Sequence, residues 1–268
     1  MKKALVITVA VIMCVCFATL MVACGEKDDW EYIQSKGTLV VGVTDYPPMD
    51  YQDADGTWTG FDAEVAKLVG EALGLKVEFV LIDWDAKVTE LKSKKIDVIW
   101  NGMTVTEELG ASMDFSYSYA ENYQVAVVKS ANVAKYATIA AMKSENAKVV
   151  AEGGSAGYRV AESEFDSVTD VLGQTAALLD VAMGTSDVAF VDYTIASANC
   201  GKGGYADLII VPGISYENEE FAIGIRKGSA LTAKINEQLV KLYKDGTMET
   251  LKNQFGAESI ALKDLSNK

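Results

Sequence analysis

Histidine is absent from the 268 residues, and arginine occurs only twice, as Arg159 and Arg226. The first absence removes Ser-His-Asp and Cys-His nucleophile pairs together with the common zinc sites. Carboxylate or lysine chemistry is what remains open to an enzyme, and no residue spacing calls for it. No catalytic group, metal site or cofactor is therefore expected. Cysteine is scarce too: Cys14, Cys16 and Cys24 cluster at the N-terminal end, so Cys200 has no partner for an internal disulfide. It reads as a small buried hydrophobe rather than a nucleophile. After residue 23 no apolar run is long enough to span a bilayer, and there is neither an internal repeat nor a low-complexity linker. Basic residues are in the minority, 24 Lys and Arg against 38 Asp and Glu for a net charge of −14. Such a surface repels nucleic acid. It serves solubility first, and attraction of cationic ligands second.

The one long apolar run lies at the start. Lys2 and Lys3 precede residues 4–22, and Met21-Val22-Ala23-Cys24 ends the run with small residues before a cysteine. This resembles a bacterial lipoprotein signal, which implies cleavage of residues 1–23 and acylation of the Cys24 sulfur, although Met21 stands where leucine is usual. A membrane-spanning anchor is the alternative. A polar tether, residues 24–37, is expected next. Losing Lys2 and Lys3 deepens the acidic excess of the mature chain, which remains long enough for one large or two modest cores.

The stretch 82–106, IDWDAKVTELKSKKIDVIWNGMTVT, organises the rest. A strand over residues 76–82 ends at Asp83-Trp84-Asp85, where Asp85 is placed as a helix cap. Val88 and Leu91 give the following helix an apolar side while Lys92, Lys94 and Lys95 face water. A buried strand over 96–100 then runs into an Asn101-Gly102-Met103-Thr104 loop. This is a βαβ unit, and ligands of open parallel sheets bind beyond the carboxyl ends of the strands.

Strand and helix alternate around it. Thr38–Val43 is a strand closed by Thr44-Asp45-Tyr46-Pro47-Pro48, residues 51–60 form a hairpin, and Asp62 is read as the cap of a helix with Val65, Leu68, Val69 and Leu73 on one side. Gln124–Lys129 is a strand. Residues 149–151 make another, followed by Glu152-Gly153-Gly154-Ser155-Ala156-Gly157, a strand-to-helix turn whose free amides suit a carboxylate or phosphate. No GK[ST] follows, so the turn is not read as a nucleotide P-loop. A strand over 187–191 ends in Asp192-Tyr193, one over 220–226 returns, and Leu231, Ile235, Leu239 and Leu242 line a long last helix stopped at Asp245-Gly246.

In this order, TDYPP, GFDAEVAKLVGEALGL, IDWDAKVTELKSKKIDVIWNGMT, DFS, GSAG, DVAFVD, FAIGIRKGS and DGTMETLKNQFG, the chain resembles the polar amino-acid-binding proteins of ABC importers, the extracellular solute-binding family 3. The resemblance implies an α/β, two-lobed periplasmic-binding-protein-like (type II) fold with two crossover strands and a ligand cleft between lobes. It places lobe 1 at 38–128 plus 219–268 and lobe 2 at 129–218. It sets Tyr46 and Trp84 as aromatic walls beside Asp45, suited to a polar or cationic guest. The Gly102 carbonyl, the Thr104 hydroxyl and the Asp192 carboxylate match positions that hold an α-ammonium group, with Asn101 beside them. Ser155 and the amides of Ser155 and Ala156 match the grip on an α-carboxylate. One position departs: Leu109 stands where the family carries an arginine that pairs with that carboxylate, and leucine cannot do so. Arg159, just after the GSAG turn, is the one nearby guanidinium that this reading offers as a substitute. An amino acid or a cationic amine is the expected guest, an ABC permease the expected partner, and the outer face of the cytoplasmic membrane the expected location of a lipid-anchored monomer. The alternatives on this fold are a dehydratase-like enzyme using a carboxylate such as Asp45, Glu121 or Asp192, and a sensor that passes lobe closure to a receptor.

Overall fold

The computed structural model describes residues 28–216 and 218–268. The expected signal and Cys24 lie outside the described residues. In chain order the strands are β1 (Thr38–Val43), β2 (Tyr51–Gln52), β3 (Trp58–Thr59), β4 (Lys76–Leu81), β5 (Val98–Thr104), β6 (Met113–Phe115) and β7 (Ala120–Asn122). There follow β8 (Gln124–Lys129), β9 (Val149–Glu152), β10 (Val168–Val171), β11 (Val188–Asp192), β12 (Leu208–Ser215), β13 (Glu219–Arg226) and β14 (Ala261–Leu262).

They build two sheets. One runs β14-β7-β13-β5-β1-β4, with β6 also beside β13, and the other β10-β9-β11-β8-β12. β1 pairs in parallel with β4 along its whole length, Thr38 opposite Lys76 through Val43 opposite Leu81, and with β5 on its other side. The chain passes between sheets twice, from β7 into β8 and from β12 into β13. Both sheets are mixed, and their central strands β5, β8, β9 and β11 are buried on two faces, as in sheets covered by helices. In β8, Val125 and Val127 enter one core cluster while Ala126 and Val128 enter another. In β5, Val98 and Trp100 face one cluster and Ile99 and Met103 a second.

Several details differ from the sequence reading. Residues Asp29–Lys36 form a helix capped by Asp28, with Ile33 fully buried and Asp29 ion-paired to Arg226, so most of the expected tether is anchored structure. β8, placed above at the end of lobe 1, pairs inside the second sheet, so the first crossing falls before Gln124. Asn101–Thr104 is not a loop but the end of β5, held against β13. Neither proposed aspartate caps its helix: Asp85 is followed by a helix Lys87–Lys92 with Ala86 at its start, and Asp62 lies inside the helix Phe61–Ala72. The helix Leu231–Lys244 is succeeded by a further one, Thr247–Gln254. Cys200 is a half-buried free thiol packed against the core, its pKa pushed up to about 11 by burial.

Candidate functional site: a cleft between the sheets

Strand ends from both sheets converge on one narrow cleft. Thr44 and Tyr46 enter it after β1, Trp84 and Lys87 after β4, and Asn101–Thr104 with Leu109 from the end of β5. From the second sheet come Glu152 at the end of β9, Gly154, Ser155, Ala156 and Arg159 after it, Gln174 at the start of the helix Gln174–Met183, and Asp192 at the end of β11. The structure thus brings together Tyr46, Trp84, Asn101, Gly102, Thr104, Leu109, Ser155, Ala156, Arg159 and Asp192 of the residues named from sequence.

Asp45 is the exception. The Asn101 Oδ1 accepts a hydrogen bond from the Thr44 amide and fixes Thr44 toward the cleft. The next side chain is therefore turned away, and Asp45 is exposed in an outer hollow with Leu81, Ile82, Leu172 and Thr175.

Asp192 is the most elaborately held group in the cleft. Its Oδ1 accepts from Asn122 Nδ2 at 2.6 Å and from Gln124 Nε2, its Oδ2 accepts from Gln174 Nε2 at 2.5 Å, and its amide donates to Gln174 Oε1 at 2.8 Å. It stands at the first boundary of the helix Tyr193–Asn199 yet makes no capping bond, so the cap role does not hold. Gln124 continues the network to Glu219 Oε2 at 2.9 Å, which also accepts from Thr104 Oγ1 at 3.0 Å. Burial holds the Asp192 carboxyl above the usual range despite these donors. Glu219 is raised by burial and by Asp192.

Glu152 is 3% exposed and its Oε1 has no hydrogen-bond partner. Burial, then the charge of Asp192, pushes its pKa up to about 8, against the opposing pull of Lys87. Asp192 and Glu152 thus line the cleft, with Glu219 joined to Asp192 through Gln124, an arrangement that favours a positive guest over a negative one.

On the other wall, Trp84 and Tyr46 are buried and Tyr46 packs over Gly102. Gly102 is held from behind by Asp62, which accepts from the Gly102 amide at 2.8 Å and from Tyr119 Oη at 2.7 Å. Ser155 opens the helix Ala156–Glu164, its Oγ accepting from the Tyr158 amide at 3.0 Å. Arg159 is exposed and reaches only the Gly154 carbonyl, at 3.5 Å. Leu109 brings an apolar side chain to the cleft and packs with the Trp84 cluster.

Thr44, Lys87, Met103, Glu152, Gly154 and Gln174 also line the cleft and were not singled out from sequence as binding residues. For Glu152 the available signal was its place at the end of a buried strand, as the first residue of the turn that was noticed. Lys87 and Gln174 carry no local signal. No cluster of potential metal ligands occurs among the described residues.

Comparison with known proteins agrees with this architecture. The model of the bacterial extracellular solute-binding proteins, family 3, matches residues 39–258. The chain is 30% identical over 232 residues to the L-cystine-binding protein TcyJ of Escherichia coli (strain K12), covering 84% of this chain and 85% of that one. It is 26% identical over 265 residues to the arginine-binding extracellular protein ArtP of Bacillus subtilis (strain 168), covering 95% and 98%. Among solved structures, a substrate-binding protein of an ABC uptake transporter from Streptococcus pneumoniae with bound histidine superposes with a TM-score of 0.78 at 31% identity, covering 89% of this chain and all of that one.

Proposed function

The chain belongs to the bacterial extracellular solute-binding proteins, family 3, and from that membership we propose that it is the extracytoplasmic substrate-binding subunit of an ABC importer, holding a small amino acid in its interlobe cleft. The observation that carries this reading is Asp192. A carboxylate fixed by three side-chain amides, at a strand end and in a buried cleft, is a preorganised receptor for an ammonium group. The Gly102 carbonyl and the Thr104 hydroxyl, on the opposite lobe but lining the same cleft, supply the further acceptors that an ammonium requires. Glu152, its carboxyl raised to about 8 by burial, offers the ammonium a further buried oxygen acceptor rather than a fixed charge. Tyr46 and Trp84 supply apolar walls for the carbon skeleton, and the Ala156 amide at the start of its helix faces the ligand's carboxylate, the Ser155 amide being engaged by the Glu152 carbonyl at 3.2 Å.

In this reading the lobes, meeting at the two sheet-to-sheet passages, close around the solute and so create the surface that the membrane permease recognises. The protein acts as a monomer, held at the cell surface by lipid on Cys24, and binds without turnover. The deciding experiment is mass spectrometry of small molecules retained on purified protein, followed by a thermal-shift screen of amino acids, amines and small peptides. A true ligand raises the melting temperature by mass action. No stabilisation by any amino acid or amine refutes the proposal.

A further inference from the structure

Lys87 is a cation the cleft itself buries. It begins the helix Lys87–Lys92, three residues after Trp84, and only 5% of it is exposed. Its Nζ donates to the Trp84 carbonyl at 2.9 Å and to the Gly154 carbonyl at 3.0 Å, and sits 4.9 Å from the centre of a Trp84 ring. Two of its three N–H groups are thereby used, and a third remains for the cleft. Among the described residues no carboxylate lies within ion-pairing distance of it. Arg226, the other buried cation named here, contrasts with this: it is paired to both Asp29 and Asp97. Buried charges are ordinarily paired, because an isolated one forfeits its hydration. Burial, with Arg159 adding repulsion, pulls the Lys87 ammonium down to about 8, although Glu152, Asp85 and Glu108 attract it.

The position of this unpaired cation is informative. Its acceptor Gly154 directly precedes Ser155 and Ala156, so Nζ lies beside the start of the helix Ala156–Glu164. Glu108, one of the charges that reaches it, adjoins Leu109. A cation without a counter-ion therefore stands between the anion-favouring helix start and the leucine that occupies the arginine position of the resemblance.

We propose that Lys87 is the anchor for the ligand's carboxylate, supplying from the start of its helix the cation that Leu109 cannot supply. This rests on the amino-acid reading above and deepens it: the ligand carries a carboxylate as well as an ammonium group, and a decarboxylated amine is discriminated against. Two consequences separate it from a merely structural lysine. The acid is preferred to its amine in the native protein, and that preference, not binding as such, disappears with the Lys87 charge.

The test is calorimetric titration of the purified protein with three pairs of probes: L-arginine and agmatine, L-histidine and histamine, L-cystine and cystamine. Each amine lacks the carboxylate groups of its acid. At least one acid is expected to bind, with its amine weaker by about 100-fold, the scale of a charged hydrogen bond in a closed site. Lys87→Met should weaken that acid about 30-fold or more and its amine less than about threefold, by the same reasoning. Leu109→Arg added to Lys87→Met should restore preference for the acid. If Lys87→Met does not fold, Lys87→Gln, whose amide can still donate to the two carbonyls, carries the same comparison. An amine that binds native protein as tightly as its acid overturns the proposal while leaving a cleft that binds amines. An unchanged acid-to-amine ratio in the Lys87 variant overturns it while leaving the amino-acid reading intact. Should none of the six bind, the comparison is made with the amino acid that stabilises the protein in the thermal-shift screen and its decarboxylated amine; no stabilisation by any amino acid overturns that reading, and this inference with it.

Discussion

Gly154 offers a way to separate the closed cleft from the fold that makes it. Its φ is +67°, and a Cβ placed on it would stand 2.7 Å from Asp85 Oδ1 and 2.9 Å from Asp85 Cα. The carboxylate can swing aside, but the backbone atom cannot. Gly154→Ala therefore carries two costs of different kind. The left-handed conformation costs about 1–2 kcal/mol for a residue with a Cβ, whether the lobes are together or apart. The conflict with Asp85 arises only when the lobes touch, and overpacking of this sort costs about 1–3 kcal/mol. At about 1.4 kcal/mol per tenfold, the second cost weakens ligand affinity by roughly 5- to 150-fold.

The proper control is Gly37→Ala, which bears similar backbone strain at φ +70° with nothing within 4 Å of the added methyl. Both variants should lower the melting temperature of ligand-free protein by about 2–8 °C, given the usual 2–4 °C per kcal/mol for a chain of this size. Only Gly154→Ala should also weaken binding, and small-angle scattering should show less compaction on addition of ligand. Equal affinities for the two variants would refute the claim that Asp85 and Gly154 meet in the bound state.

Asp192→Ala should cost at least ~2 kcal/mol of binding with the fold intact, and Asp192→Asn should recover little of it, because the buried ammonium loses a charged acceptor; unchanged affinity in titration would move the ammonium site elsewhere. Burial raises the carboxyl of Asp62 to about 7 and that of Glu152 to about 8. Between about pH 4 and these values the native state keeps protons that the unfolded chain has lost, so the stability they contribute is full at low pH and falls as pH rises. Melting curves of ligand-free Asp62→Asn and Glu152→Gln should therefore depend less on pH between 5 and 8 than native protein, and parallel curves would contradict the assignment. Cys24→Ala should release the processed protein from the membrane into the soluble fraction, and retention of that variant after processing would reject lipid anchoring.

Much of this site was legible before any coordinates, for a definite reason. β1, β5, β8, β9 and β11 are runs of β-branched and apolar residues buried on both faces, so their ends announce themselves, and an open sheet puts its ligand at those ends. Trp84, the segment 101–104, the turn 152–157 and Asp192 stood out in this way, while the resemblance supplied Tyr46 and the individual roles of Gly102 and Ser155. What escaped depends on approaches distant in sequence. Lys87 reads as one more surface lysine of a short helix until Gly154, 67 positions away, closes over it. Gln174 becomes meaningful only beside Asp192. Asp62 was misread as a cap because its partners, Gly102 and Tyr119, lie 40 and 57 positions on. Asp45 failed for a local reason: Asn101 claims Thr44, and the alternation that follows sends Asp45 outward.

The placement of Lys87 also bears on how binding and closure are joined. Its stem belongs to the segment after β4, while one of its two acceptors, the Gly154 carbonyl, belongs to the segment after β9, so a single ammonium spans the cleft. With no counter-ion, that bond to Gly154 is made at the expense of hydration, and burial opposes the charged state it requires. An anion at the start of the helix Ala156–Glu164 changes the balance. It neutralises the ammonium, raises its pKa again, and strengthens the donor that already reaches across to the second lobe. The carboxylate then stabilises closure through a contact the protein makes with itself. An amine lacking that group would fill the Asp192 side of the cleft and leave the Lys87 bridge uncompensated. Discrimination for a zwitterion in this chain therefore follows from the energetics of closing the cleft as much as from direct contact, since the state that excludes water is the one in which an unpaired Lys87 is most costly.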